Sequence, residues 1–295
     1  MQETCPRCKK DSGIVFKTKD VNRKVSGEIF DYRLCFECQL IFLSNIPVDL
    51  DAYYGDEYYC PPTVEKVRSV ARKEAYQLAM VTAFVKTGRL LEVGPGFGIF
   101  AYQAKTAGFD VEVIEKEKKC CEFLRNTIGV KTVQSNSPHT ALDSAKNYDV
   151  IALWHVIEHL PFPWEFISKA AQKLNDKGVF LIATPNPAAA QFRFQGACWP
   201  HVDAPRHLCL IPLELLIKHM KPLGLEPMLV SFNDKGARSW NRFGWQRYLM
   251  NRCSSRLFQK LAFCLGYLVA LPMNVFDRLK GKSSAYTVVF QKIKP

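Results

Sequence analysis

The chain has 295 residues, 48% of them hydrophobic, and a formal net charge of +12. This length predicts one large domain, or one domain with small additions, and the apolar share is ordinary for a soluble protein with a sizeable core. Eleven cysteines, an odd number with four in two close pairs, exclude a disulfide framework and point to reduced thiols plus a metal site in the cytoplasm.

The positive excess predicts a polyanionic or membrane-surface partner. Met1-Gln2-Glu3-Thr4-Cys5 has neither a basic start nor an apolar stretch, so no secretory signal is expected. No internal repeat or low-complexity tract is visible.

Residues 1–45 hold Cys5-x-x-Cys8 and Cys35-x-x-Cys38, two knuckles separated by 26 residues. Four thiolates make the tetrahedral set that Zn²⁺ prefers, and they leave no open coordination position. Ile14–Lys17 and Ile29–Leu34 read as strands, with Ser26-Gly27 turning between them. The segment is therefore expected to be a small zinc ribbon with a structural role.

Residues 46–87 read as a linker and a helix. Tyr53, Tyr54, Tyr58 and Tyr59 crowd the linker, which suits a packed connector or a lid. A single helix is expected over 63–87, capped by Thr63, with an apolar stripe from Val67 to Val85.

Leu90-Leu91-Glu92-Val93-Gly94-Pro95-Gly96-Phe97-Gly98 is the organising stretch. A short buried strand ends at an acid and three glycines follow at alternate positions. Glycine lets a ligand lie against bare backbone, and the helix expected over Ile99 to Ala107 adds free amides to the same crevice. A dinucleotide fingerprint would place glycine at 99, where this chain has Ile99.

Strands and helices then alternate: strands at 110–115, 130–134, 148–154 and 179–183, helices at 117–127 and 163–174. A helix at 212–221 and strands at 225–232 and 285–291 close the series. Such alternation predicts an α/β fold with a mostly parallel, doubly wound, Rossmann-like sheet of seven strands. Glu115 ends the second of these strands, 17 residues beyond Gly98, where a carboxylate can accept from ribose hydroxyls.

The pattern E-x-G-x-G-x-G at 92–98 resembles motif I of the class I S-adenosylmethionine (SAM) methyltransferases. Tyr148 to Leu160, which contains His155-Val156-Ile157-Glu158-His159, looks like their motif IV, and Gly178 to Pro187 continues the likeness. With the ribbon and the tyrosine linker, positions 1 to about 232 resemble bacterial SAM-dependent methyltransferases that carry a preceding zinc ribbon.

The resemblance implies a methyltransferase domain over 88–295 and SAM as cofactor. It implies cofactor contacts from Glu92, Gly94, Gly96, Gly98, Glu115, Asn136 and Leu153. Asn136 departs from the acid many relatives carry there for the adenine amino group.

His155 or His159 is the candidate general base, since histidine titrates near neutral pH. The alternative is that both only shape the methionine pocket, His155 above all. The order H-x-x-E-H at the exit of a strand sets the segment apart from a zinc protease helix.

Asp203-Ala204-Pro205-Arg206-His207-Leu208 resembles a further family element. Trp199, Arg206 and His207 are the candidate substrate contacts, with a structural tie for Arg206 as the alternative. The acceptor expected from the resemblance is a small molecule, a sugar or a lipid-linked compound. The rival reading is a non-catalytic zinc-ribbon protein that binds nucleotides or nucleic acid. The ribbon disfavours nucleic acid, because its 45 residues hold eight basic and six acidic side chains.

Residues 235–283 stand apart as an insertion. Lys235 to Lys282 contains ten basic residues and one acid, Asp277, around the uncharged run Leu261–Leu271. That run is too short for a comfortable transmembrane helix. It predicts either an interfacial helix or hairpin on an anionic membrane surface, with Trp240 and Trp245 at head-group depth, or a buried hairpin covering a sheet edge or a dimer contact. Pro272 is expected to interrupt the apolar element.

Overall fold

The structure is a computed structural model that describes residues 3–55, 60–279 and 281–293. Its strands are β1 (Ser12–Thr18), β2 (Phe30–Cys35), β3 (Ile41–Leu43), β4 (Arg89–Val93), β5 (Asp110–Glu115), β6 (Lys131–Gln134), β7 (Tyr148–Trp154), β8 (Leu174–Pro185), β9 (Cys209–Leu210), β10 (Leu225–Ser231) and β11 (Ala285–Lys292). Its helices are α1 (Val64–Lys73), α2 (Tyr76–Thr82), α3 (Ile99–Thr106), α4 (Lys118–Phe123), α5 (Pro138–Ala141), α6 (Pro163–Gln172), α7 (Ala190–Gln195), α8 (Leu213–Met220), α9 (Lys235–Met250) and α10 (Arg256–Asp277).

Among the described residues, seven strands form one sheet in the order β10-β11-β8-β7-β4-β5-β6. β4 pairs in parallel with β5 and β7, β5 with β6, and β7 with β8. Connections through helices make this the mostly parallel, Rossmann-like sheet expected from the alternation. The reversal of strand order falls at β4, so the glycine turn opens at the topological switch point where such sheets bind ligands.

Two compact units divide the chain. One comprises residues 56–183, 217–230 and 288–295; the other comprises 1–55, 184–216 and 231–287. The ribbon expected over 1–45 thus shares its unit with later segments. Its strands β1, β2 and β3 pair antiparallel, and β3 pairs on with β9 through Ile41 opposite Leu210.

The sheet unit packs Leu90, Val113, Val150, Ala152 and Leu181 against Phe100, Ala104 and Leu124 from its helices. The ribbon unit has its own core of Phe30, Tyr32, Leu43, Tyr53, Trp199 and Leu210. Full burial of such side chains stabilises by about 1.5–3 kcal/mol each. Tyr53 is held inward, its hydroxyl 2.6 Å from Glu28 Oε2, which supports a packed connector at that point. Positions 56–59 of the tyrosine linker lie outside the described residues.

The helix expected over 63–87 is two helices. Thr63 caps α1 by accepting from the amide of Lys66, as its position suggests. α1 then ends at Lys73, and the Ala71 carbonyl near its end accepts from the Gln103 side chain of α3 at 3.0 Å. A tertiary partner for that carbonyl replaces continued helical pairing. α4 also stops early, at Phe123, and Leu124–Ile128 continues as a π turn.

Candidate functional site

The C-terminal ends of β4, β5, β6 and β7 lie along one edge because these strands are parallel and in register. Glu92 sits beside Val113 on one side and Ala152 on the other, and Leu153 sits beside Val93. Glu92 is buried, and its Oε2 has no hydrogen-bond partner among the described residues. Burial pushes its pKa up to about 8; an amide hydrogen bond from Ala101 opposes the rise and the nearby Glu115 carboxylate adds to it.

The three glycines have different reasons to be glycine. All are left-handed, with φ of +62° at Gly94, +55° at Gly96 and +72° at Gly98. A Cβ on Gly94 would lie 2.7 Å from a methyl of Val156, and one on Gly98 would lie 2.5 Å from a methyl of Leu124. A Cβ on Gly96 would meet no atom of the described residues within 4 Å. Gly94 and Gly98 therefore serve packing, while Gly96 presents bare backbone to open space.

Glu115 locks that backbone in place. Its Oε2 accepts from the Gly96 amide at 3.0 Å, and its Oε1 accepts from the amides of Lys116 and Glu117 at 2.8 and 2.9 Å. Burial raises its pKa, against the pull of these hydrogen bonds. Beyond β6, Asn136 lines a small cavity with Pro138, His139, Leu160 and Phe162. Leu153 is fully buried, so its contribution is to the floor of the edge rather than to an exposed wall.

β7 delivers His155 in an unusual conformation. Its φ is +57°, its amide donates to the Ala183 carbonyl at 2.9 Å, and its side chain remains 21% exposed. A non-glycine residue in this region is sparsely populated and needs its surroundings to hold it. Glu158, fully buried in the turn Ile157–His159, places Oε1 3.7 Å from His155 Nδ1. The sequence reading gave Glu158 no role, although the H-x-x-E spacing carried the signal. His159 follows in the same turn, its amide donating to Val156.

A family model described as a methyltransferase domain matches residues 65–230, more than half of the chain. The chain belongs to this methyltransferase family. Ubiquinone biosynthesis O-methyltransferase of Rickettsia typhi is 28% identical over 109 residues, which are 36% of this chain and 44% of that protein. The namesake of Paramagnetospirillum magneticum is 32% identical over 103 residues, 34% of this chain and 41% of that protein. The chain thus spans less than half the length of these curated relatives. A SAM-dependent methyltransferase from Archaeoglobus fulgidus superposes with a TM-score of 0.52 at 18% identity, covering 77% of this chain and 97% of that one. That likeness concerns the fold, which is the class I methyltransferase fold.

Cofactor candidates of this methyltransferase come together in the sheet unit, whereas Trp199, Arg206 and His207 belong to the ribbon unit. Two of those three are corrected as substrate contacts. Trp199 is fully buried in the ribbon unit's core and stacks at an angle on Phe192, 5.1 Å away. Arg206 is 1% exposed and spends its guanidinium internally: Nε and one terminal nitrogen on Asp203, both terminal nitrogens on Asp20, and one also on the Tyr53 carbonyl, at 2.7–3.3 Å. The bidentate geometry that suits a substrate phosphate is satisfied by carboxylates of the chain itself. His207 is buried with Nδ1 2.9 Å from the His201 carbonyl, and it lines a cavity of about 350 Å³ with Trp240, Phe243 and Arg247.

The four expected metal thiols of the methyltransferase converge. Sγ of Cys5 lies 3.6 Å from that of Cys38, and Sγ of Cys8 lies 3.4 Å from Cys35 and 3.7 Å from Cys38. Zn–S bonds of about 2.3 Å in a tetrahedron put sulfurs about 3.8 Å apart, so the set fits one ion. Both knuckles turn alike, with Lys9 and Gln39 at φ +61° and their amides donating to the carbonyls of Cys5 and Cys35.

Proposed function

We propose that the sheet unit binds SAM along the ends of β4–β7 and that the protein methylates a small-molecule acceptor. The observation that carries this reading is the Gly96 amide, held by Glu115 beneath open space into which a Cβ would project. Glu92 would face the cationic methionine end, Glu115 the ribose hydroxyls and Asn136 the adenine. SAM supplies a methyl group already activated by its sulfonium.

The acceptor class we infer is a hydroxyl on a sugar or lipid-linked compound. Support comes from the relatives named as O-methyltransferases of ubiquinone biosynthesis and from the paired His155 and Glu158. A hydroxyl acceptor loses its proton as its oxygen is methylated, so it needs a base in reach. His155 takes that proton, and the buried Glu158 carboxylate orients the ring and stabilises its cation; His159 then lines the pocket. The four-cysteine set holds one structural Zn²⁺, which fits a reduced cytoplasmic setting.

Calorimetric titration with SAM, NAD and a DNA oligomer tests the reading. SAM alone is expected to bind, and labelled methyl from SAM is expected to appear on the hydroxyl of a lipid-linked compound or a sugar. Absence of SAM binding overturns it.

A further inference from the structure

Helix α10 wears its apolar side outward. Leu257, Leu261, Leu265, Leu268, Leu271 and Val275 recur at helical spacing, each more than half exposed. The opposite side, marked by Gly266 and Ala270, is buried; a Cβ on Gly266 would lie 2.4 Å from the Gln246 backbone of α9. A helix of 22 residues is about 33 Å long. Pro272 does not interrupt it, contrary to expectation; it sits on the exposed side, and α10 runs on to Asp277.

Asp277 is itself buried and accepts from Trp245 Nε1 and the Gln191 side chain, both at 2.9 Å. Trp245 is consequently an internal tie and not a head-group anchor, and Trp240 stacks on His201 at 4.4 Å. Within the chain itself only the side of α10 toward α9 is covered, which leaves its other side to a membrane or to a second copy.

Cations border the apolar face. Lys235, Arg238 and Arg242 of α9, with Arg278 after α10, line a cavity of about 310 Å³ whose other walls include Tyr267 and Leu271. The buried Oδ1 of Asn274, in the same wall, has no hydrogen-bond partner among the described residues. Arg256 and Lys260 mark the other end of α10.

We propose that the α9–α10 hairpin docks the protein on a bilayer rich in anionic phospholipid. The exposed face of α10 lies among the upper acyl chains, and the cavity between the helices takes a lipid phosphate beside Leu271. Arg256–Asp277 is long and apolar enough to cross a membrane by length and composition. The Arg242 guanidinium nevertheless lies over the Tyr267 ring, 5.9 Å from its centre and midway along α10. A spanning α10 would carry this arginine to the hydrocarbon centre, whereas an in-plane helix leaves it at head-group depth.

A second copy of the chain is the poorer occupant. It would set a segment with ten basic residues and one acid against its own like. The acid is already buried, so nothing on the hairpin offsets the repulsion. An anionic surface meets both the charge and the apolar face.

Flotation of the full chain with vesicles of phosphatidylcholine, with and without phosphatidylglycerol, tests the proposal. Binding is expected only with phosphatidylglycerol, and raising salt from about 0.01 M to about 1 M should release most of it. Changing Arg238, Arg242 and Arg278 together to glutamine should weaken binding by about fivefold for each charge removed. Leu261→Ser with Leu265→Ser and Leu268→Ser should abolish it. Zinc content and the thermal melt, measured on both variants, should stay unchanged and so report that the ribbon unit, which contains the hairpin, is still folded. An intact protein that ignores anionic vesicles at low salt overturns the proposal. So does a dimer, seen by sedimentation, that the leucine variant dissociates while the native protein never floats.

Discussion

The Gly96 amide donates a 3.0 Å hydrogen bond to Glu115 Oε2, joining the glycine turn after β4 to the end of β5. One carboxylate thereby shapes the backbone that would meet the cofactor and keeps one acceptor site, on Oε2, for a ribose hydroxyl. Glu115→Ala should weaken SAM binding by roughly 1–3 kcal/mol, the cost of losing a charged acceptor and freeing the turn. Calorimetry reads this directly, and unchanged affinity would place the cofactor elsewhere.

Glu92 makes the same site sensitive to pH. Its carboxyl keeps a proton up to about pH 8, against an ordinary value of 4.5. A cationic methionine end favours the ionised form, so SAM binding at neutral pH should release a proton and tighten as pH rises toward 8. Titrations in buffers of different ionisation enthalpy measure that proton, and Glu92→Gln should remove the effect. Without ligand the sign reverses for stability. The folded state holds a proton that the unfolded chain has lost, so stability falls as pH rises from 4.5 to about 8, by up to about 1.4 kcal/mol per pH unit.

The glycines should separate by phenotype. Gly98→Ala drives a methyl into Leu124 and should chiefly lower the melting temperature. A Cβ at Gly96 meets no described atom within 4 Å, so the folding cost of Gly96→Val should come chiefly from its left-handed backbone, at least ~1–2 kcal/mol, while SAM binding disappears. Thermal melts paired with SAM titrations distinguish the two, and a Gly96→Val protein with native SAM affinity would refute the assignment.

Metal analysis should find about one equivalent of zinc per chain. Changing Cys35 and Cys38 together to serine removes two of the four ligands and should abolish it, with loss of stability in the ribbon unit. Full zinc content in that double variant would contradict the site.

Arg206→Ala should act on stability and not on substrate affinity. It leaves the buried Asp20 and the Asp203 carboxylate without their cation, at a cost of about 3–5 kcal/mol. Burial raises the Asp203 pKa, but hydrogen bonds from Arg206 prevail and hold it well below the usual carboxylate range. A depressed carboxylate stabilises the fold above its unfolded pKa and loses that contribution as pH falls. The native protein should therefore lose stability toward acid more steeply than the variant. Denaturant unfolding against pH checks both; a raised KM with unaltered stability would restore the substrate role.

Sequence alone determined the features whose chemistry is local. The spacing of Cys5, Cys8, Cys35 and Cys38 implied a four-thiolate set, and those sulfurs do converge. The alternation of short apolar runs with amphipathic stretches implied the parallel sheet, because periods of two and 3.6 are written in side chains a few residues apart. Glu92, Gly96 and Glu115 were legible because each follows directly from the end of a strand.

Tertiary structure alone decided who partners whom. The sequence left Arg206 open as a substrate contact or a structural tie, and Asp20, 186 residues away in the chain, occupies it. Trp245 looked like an interfacial anchor until Asp277 claimed its indole. The three glycines were alike in sequence and became distinct only through the methyls of Val156 and Leu124. An apolar run does not say which of its sides is covered, and in α10 the side left bare emerged only once α9 was packed against the other. Burial, ion pairing and cavities depend on distances between segments remote in sequence, and those distances exist only after the chain has closed on itself.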